Sequence, residues 1–238
     1  MRYHVGIGCS FGVPDHNSHQ ILAKKLGAHF INLSEGNRGN FRMVTELLYW
    51  ISTNKEKLQQ TTFSIGWSGI YRNDLIQRAR QNEMAFDWQV WRADRDDTTG
   101  RELSKNMDVE LDHTIRFLTN ILSTQLFLKS EGCRYVMYNG IDTYIDRSQF
   151  DTHTALRIKL LEKKIDKTKF FQFKNSHSQF VADHKYFLDP TPTSFVKKIT
   201  NWPSDDAQYP VKDTHPSAEG DKKWADLIWN FCQKNQLL

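Results

Sequence analysis

Short apolar runs alternate along this chain with longer stretches in which apolar residues recur every three or four positions, the pattern that a parallel sheet flanked by helices leaves in a sequence. Residues 3–9 predict a first strand, 18–26 a helix closed by Gly27, and 29–33 a second strand. Phe41, Val44, Leu47, Leu48 and Ile51 then repeat at helical spacing, which predicts a half-buried helix ended by the polar run Asn54-Lys55-Glu56. A third strand follows at 62–66. Met107, Leu111, Ile115, Leu118, Leu122 and Leu126 mark a long helix stopped by Gly132, and 134–138 a fourth strand. Beyond Asn139 the pattern weakens to a helix at 154–161, a fifth strand at 170–173 and a last helix at 218–231. The fold class is α/β, a three-layer sandwich around a central, mostly parallel sheet, in one domain spanning 1–238. Two segments stand apart as loop insertions. That near 84–105 reads as neither strand nor good helix, and that near 172–212 is punctuated by Pro190, Pro192, Pro203 and Pro210.

Charge narrows the partners. Over 238 residues a formal net charge of +4 is thin, so neither nucleic acid nor a membrane surface is expected as a partner. A mean hydropathy of -0.63 and the lack of an apolar run near 18 residues in length predict no membrane span. Residues 2–6 open a strand directly, with no signal peptide visible, so a cytoplasmic location is expected. Cys9, Cys133 and Cys232, odd in number and far apart, read as reduced thiols.

Two stretches carry chemistry. In Gly6-Ile7-Gly8-Cys9-Ser10-Phe11-Gly12 a turn of small residues follows the first strand and offers the Ser10 hydroxyl at the carboxyl end of the sheet, where open α/β sheets place ligands. A serine becomes a nucleophile only when a base reaches it. Asp213-Thr214-His215-Pro216-Ser217-Ala218-Glu219-Gly220, just before the last helix, supplies a carboxylate and an imidazole in one loop. Taken singly, Ser10 reads as a turn residue or cap and the Asp213 loop as an Asx turn. Their conjunction at one sheet edge favours catalysis. Cys9, closing a strand, reads as a small buried hydrophobe.

In their order along the chain these features resemble the blocks of the SGNH/GDSL hydrolase family. Gly8-Cys9-Ser10 is similar to the first block, with Cys9 in place of the usual Asp, and residues 32–40, Asn-Leu-Ser-Glu-Gly-Asn-Arg-Gly-Asn, resemble the second. His215-Pro216-Ser217 with Gly220 and Trp224-Ala225 resembles the last. The resemblance implies a flavodoxin-like sheet and a serine esterase that needs no cofactor, with Ser10 as nucleophile, His215 as base and Asp213 as its partner. It also implies an oxyanion hole drawn from Ser10, Gly36, Asn37, Asn40 and Ser68. Asp213 stands two residues before His215 rather than three, which leaves both a triad and a Ser-His dyad open. Gly66-Trp67-Ser68-Gly69 carries Ser68 where the third block has its Asn, and Asn73-Asp74 is offset by five residues.

The remaining signals concern ligands. His16 and His19 have a ligand-like spacing beside Asp15, but without a third ligand they read as a solvated loop, and no metal is expected. Lys163, Lys164, Lys167 and Lys169 read as a solvated helix end. Trp67, Trp88 and Trp91 offer flat faces for a sugar ring, and Arg72 a donor for hydroxyl or carboxylate groups. The expected substrate is a small acyl ester such as an O-acetylated carbohydrate, with acyl transfer to a sugar hydroxyl as a variant. Two competing readings are a dinucleotide-binding Rossmann-type protein, from Gly6, Gly8 and Gly12 with Glu35, and a non-catalytic carbohydrate-binding module of the same fold.

Overall fold

The computed structural model describes residues 1–36, 38–70, 72–78, 86–92, 109–141, 150–184 and 215–238. Its strands are β1 (Tyr3–Gly8), β2 (His29–Asn32), β3 (Thr61–Trp67), β4 (Arg72–Arg78), β5 (Phe86–Arg92), β6 (Arg134–Asn139) and β7 (Phe170–Ser176). Five of them form one sheet in the order β2-β1-β3-β6-β7, every pairing parallel. Counted among themselves, these strands follow the 2-1-3-4-5 order of a flavodoxin-like sheet, whose direction of winding reverses beside β1.

Helices cover both faces, and this is why the inner strands β1 and β3 are buried along almost their whole length rather than in alternation, their polar residues His4, Thr62 and Ser64 bonded to one another. On one face α2 (Asn40–Thr53) and α3 (Val109–Ser130) bury Met43, Leu47, Ile51, Phe117, Leu118 and Ile121 against Val5, Ile7, Phe63 and Ile65. On the other, Leu22 of α1 (Ser18–Leu26) and Trp224, Ile228 and Cys232 of a C-terminal helix pack on Val136, Tyr138 and Phe171. Numbered in chain order, α4 is Thr152–Lys164, α5 His177–His184 and that C-terminal helix, α6, Ala218–Asn235. Side-chain caps fix the starts. Asn17 accepts from Gln20 N–H at α1, Asp151 from His153 and Thr154 at α4, and Ser217 from Gly220 at α6.

Several expectations need correction. The segment near 84–105 is not wholly irregular: Phe86–Arg92 pairs antiparallel with Arg72–Arg78 in a two-stranded ribbon. The insertion near 172–212 likewise gives its first part to β7 and α5. In α3 the fully buried apolar positions are Phe117, Leu118, Ile121 and Leu128, with Leu111, Ile115 and Leu122 partly buried beside them, whereas Leu126 is 68% exposed. A step of four residues overshoots a full turn by about 40°, so the two steps from Leu118 through Leu122 to Leu126 carry the run about 80° away from the core-facing side. Met107 lies outside the described residues.

His19 is not in a solvated loop. Its Nδ1 lies 2.6 Å from Ser64 Oγ, and Ser64 Oγ lies 2.8 Å from His4 Nε2, both rings being buried. His4 Nδ1 meets Thr62 Oγ1 at 2.8 Å, and the Tyr138 hydroxyl meets His19 Nε2 at 3.2 Å. The single hydroxyl proton of Ser64 serves only one of its two imidazole neighbours, so the other ring donates its own N–H. Burial holds both rings neutral, driving His4, with the help of neighbouring His19, and His19 itself down to about 3.

Candidate active site

The chain leaves β1 through Cys9, 1% exposed, and turns tightly, with Gly12 N–H donating to Cys9 O at 2.9 Å. Ser10 opens this turn and is half-buried; Phe11 points inward. The Asn32 amide, at the end of β2, donates to Gly12 O at 2.9 Å, and Glu35 N–H donates to Gly8 O at 3.3 Å, so the loops after β1 and β2 are tied together.

His215 stands just ahead of α6, and its ring centroid lies 5.2 Å from that of Phe11. Phe11 in turn meets His177 edge-on at 5.5 Å, and His177 stacks flat on Trp224 at 5.0 Å. One aromatic column therefore joins the Ser10 turn, the start of α5 and the start of α6. Beside it, fully buried Asp221 lies 3.6 Å from His16 Nε2 and 3.8 Å from His177 Nε2. Burial pushes Asp221 up to about 8 against a Ser18 N–H bond, and holds His177, with His19 nearby, down at about 3. Sequence reasoning missed this pair. A signal was present, because Asp221 falls on the same stripe of α6 as Trp224, Ala225, Ile228 and Cys232.

The loop between β2 and α2 is braced throughout. Arg38, 5% exposed, donates to Leu33 O at 2.6 Å and to Glu35, which also accepts from Arg42 at 2.8 Å. Asn40 Oδ1 accepts Ser68 N–H at 2.8 Å, while its Nδ2 donates to Ser68 O at 3.2 Å and Gly69 O at 3.3 Å. Asn40 and Ser68 do come together, but as a brace between two loops. The Asn40 amide and the Ser68 N–H are committed to this brace, and the Ser68 hydroxyl proton takes no part in it. Arg72 reaches the Ser68 hydroxyl at 3.3 Å. Asp74, on β4, accepts from Gly39 N–H at 2.8 Å and Arg42 N–H at 2.7 Å; burial raises its pKa, and these two donors oppose the rise.

Trp67 is not a substrate platform. It is fully buried with its ring edge-on to Phe117 at 6.2 Å, because β3 lies at the centre of the sheet. Trp88 and Trp91 stand in β5 opposite Ile76 and Asn73. Gly36 is exposed at the loop tip; Asn37 and Asp213 lie outside the described residues. The Rossmann-like glycines have other work: a Cβ on Gly6 would come within 2.4 Å of the His19 side chain, and one on Gly12 within 2.3 Å of Ser34 Oγ. Glu35, bound by two arginines, is occupied as well. Among the described residues, no three His, Cys, Asp or Glu side chains gather to hold a metal ion, and no helix is long and apolar enough to cross a membrane.

Fold and site together define a doubly wound, flavodoxin-like α/β protein with a serine and a histidine at the carboxyl edge of its sheet. Residues 14–180 match the model of a family of unknown function, DUF6071, and the chain belongs to that family. No curated protein matches it by sequence. Among solved structures it is similar to TesA, at 10% identity and a TM-score of 0.49, covering 98% of this chain and 99% of that one. It is similar also to a lipolytic G-D-S-L family protein from Veillonella parvula (12%, TM-score 0.41, 97% of each chain). A third is a catalytic mutant of Axe2, an acetylxylan esterase from Geobacillus stearothermophilus (12%, TM-score 0.44, 97% and 93%). These are likenesses of backbone alone.

Proposed function

We propose that this chain is a serine ester hydrolase acting on small acyl esters, O-acetylated carbohydrate among them. The observation that carries the reading is the Phe11 contact, which links the residue next to Ser10 to the ring of His215. In this reading Ser10 attacks the ester carbonyl while His215 takes its proton and hands it to the leaving alcohol; water then resolves the acyl-enzyme by the reverse path. Backbone N–H groups of Ser10 and of Gly36 or Asn37 hold the oxyanion, and Asp213 orients His215. No cofactor enters, because nucleophile and base are both side chains, and the domain works as a single unit. Arg72, with Trp88 or Trp91, is the proposed contact for the alcohol portion.

The test is hydrolysis of p-nitrophenyl acetate by the wild type and by Ser10→Ala and His215→Ala. Each variant loses nearly all activity with an unchanged melting profile, since members of such a unit fail together. Wild-type turnover in either variant rules the assignment out. Asp213→Asn costs as much as His215→Ala if Asp213 completes a triad, and less in a dyad. In an acyl series from two carbons to eight, acetate is turned over best; preference for the longest chain overturns the small-acyl reading.

A further inference from the structure

The ribbon of β4 and β5 is inserted between β3 and α3, away from the five-stranded sheet. It is not a free appendage. Both carboxylate oxygens of Asp74 are committed to backbone N–H groups at the start of α2, those of Gly39 and Arg42. Gly39 is what permits the approach, because a Cβ there would stand 2.5 Å from Asp74 Oδ2 and 2.8 Å from Arg72 O. The same loop is held from within by Arg38 and, through Asn40, from the end of β3, so that Gly36 is carried on a fixed base. A donor helps a developing oxyanion only when it is already aimed before reaction, and small misplacements are costly.

We infer that Asp74 is a positioning residue for the reaction: from the inserted ribbon it fixes the β2–α2 loop whose tip supplies an oxyanion N–H. This rests on the hydrolase reading above. The geometry assigns a function to Asp74, which with Asn73 stands five residues out of register with the third block. Asp74 touches no substrate; it acts through the backbone of Gly39 and Arg42.

Three variants test this on the full chain: Asp74→Ala, Asp74→Asn and Gly39→Ala, with p-nitrophenyl acetate kinetics and hydrogen exchange of the amides of residues 33–36. Asp74→Ala lowers kcat by about tenfold to a hundredfold with KM nearly unchanged, and speeds exchange in the loop. Asp74→Asn keeps one accepting oxygen and falls between wild type and Asp74→Ala. Gly39→Ala, which displaces the carboxylate without removing it, reproduces the Asp74→Ala pattern and keeps the result readable if one variant folds poorly. Faster loop exchange with unaltered kcat overturns the inference, as does a rise in KM alone. Ser10→Ala run in parallel separates the two failures: if it abolishes turnover while Asp74→Ala does not lower kcat, only the positioning role is lost; if it leaves turnover intact, the hydrolase reading falls and takes this role with it.

Discussion

The ring of Phe11 lies 5.2 Å from the ring of His215, although 204 positions separate them in the chain. Phe11 is thus next to the candidate nucleophile by covalent bonding and next to the candidate base by packing. Phe11→Ala is expected to lower kcat by about tenfold or more without touching either residue, because the imidazole loses the surface that sets its approach. It also removes a buried ring at a cost of about 3–5 kcal/mol. Ester hydrolysis measured well below the melting temperature, together with a urea titration, separates the two effects; full activity in the folded variant contradicts the first.

Stability is expected to peak near pH 6.5. His4, His19 and His177 each titrate at about 3 in the fold against 6.5 when exposed, so unfolding takes up protons in that window and stability falls as pH drops through it. Asp221 works the other way, at about 8 in the fold against 3.8, so its contribution is complete below 3.8 and is lost as pH rises toward 8. Between about 4 and 6.5 the three imidazoles outweigh the single carboxyl; above 6.5 only Asp221 still acts. Thermal melts across pH 4 to 8 check the shape, and Asp221→Asn should flatten the alkaline side and steepen the acid side, where the carboxyl opposes the imidazoles.

Asn40→Ala removes three hydrogen bonds that join the loops after β2 and β3 and leaves the Ser68 N–H buried without its acceptor. A loss of about 1–3 kcal/mol is expected in urea unfolding. Asn40→Asp keeps the acceptor but loses both donors and should recover only part of it.

Trp67→Ala should cost about 3–5 kcal/mol, as for any large core side chain. Trp88 and Trp91 behave differently. They stand three positions apart in β5, and strand alternation leads to the expectation that a sugar engages one of them rather than both. Of Trp88→Ala and Trp91→Ala, one is expected to raise KM for an acetylated saccharide while the other leaves it unchanged; equal effects from both exclude a platform on a single face.

Most of the sheet was legible because its inner strands are buried almost throughout and read as short, largely apolar runs, as in Tyr3–Gly8 and Thr61–Trp67, even where His4, Thr62 and Ser64 interrupt them. α1 was legible as about 18–26 because Gly27 marks its end, and the Asn17 cap that sets its start is seen in the structure. The ribbon was missed because Arg72–Arg78 and Phe86–Arg92 mix charged, polar and aromatic residues without the run that a central strand shows. At the site, Ser10 and His215 were legible as residue types in suggestive turns. The partners of Asn40 and Asp74 were not, because each lies about thirty positions away and is a backbone group that any residue could provide. Trp67 was misread for a related reason: its place at the end of an apolar run looks the same whether the ring turns into the core or toward a cleft.

The ties among Asn32, Asn40, Asp74 and the backbone they hold bear on how this family can diversify. Loops that hang free from a scaffold can be exchanged one at a time between homologues, and each exchange is judged alone. Here a graft of the β2–α2 loop would arrive without the aspartate from the ribbon and the backbone of Ser68 and Gly69 that its start requires. The unit of inheritance at this edge of the sheet is the set of loops, so a chimera succeeds when all three are transplanted together and fails when one travels by itself.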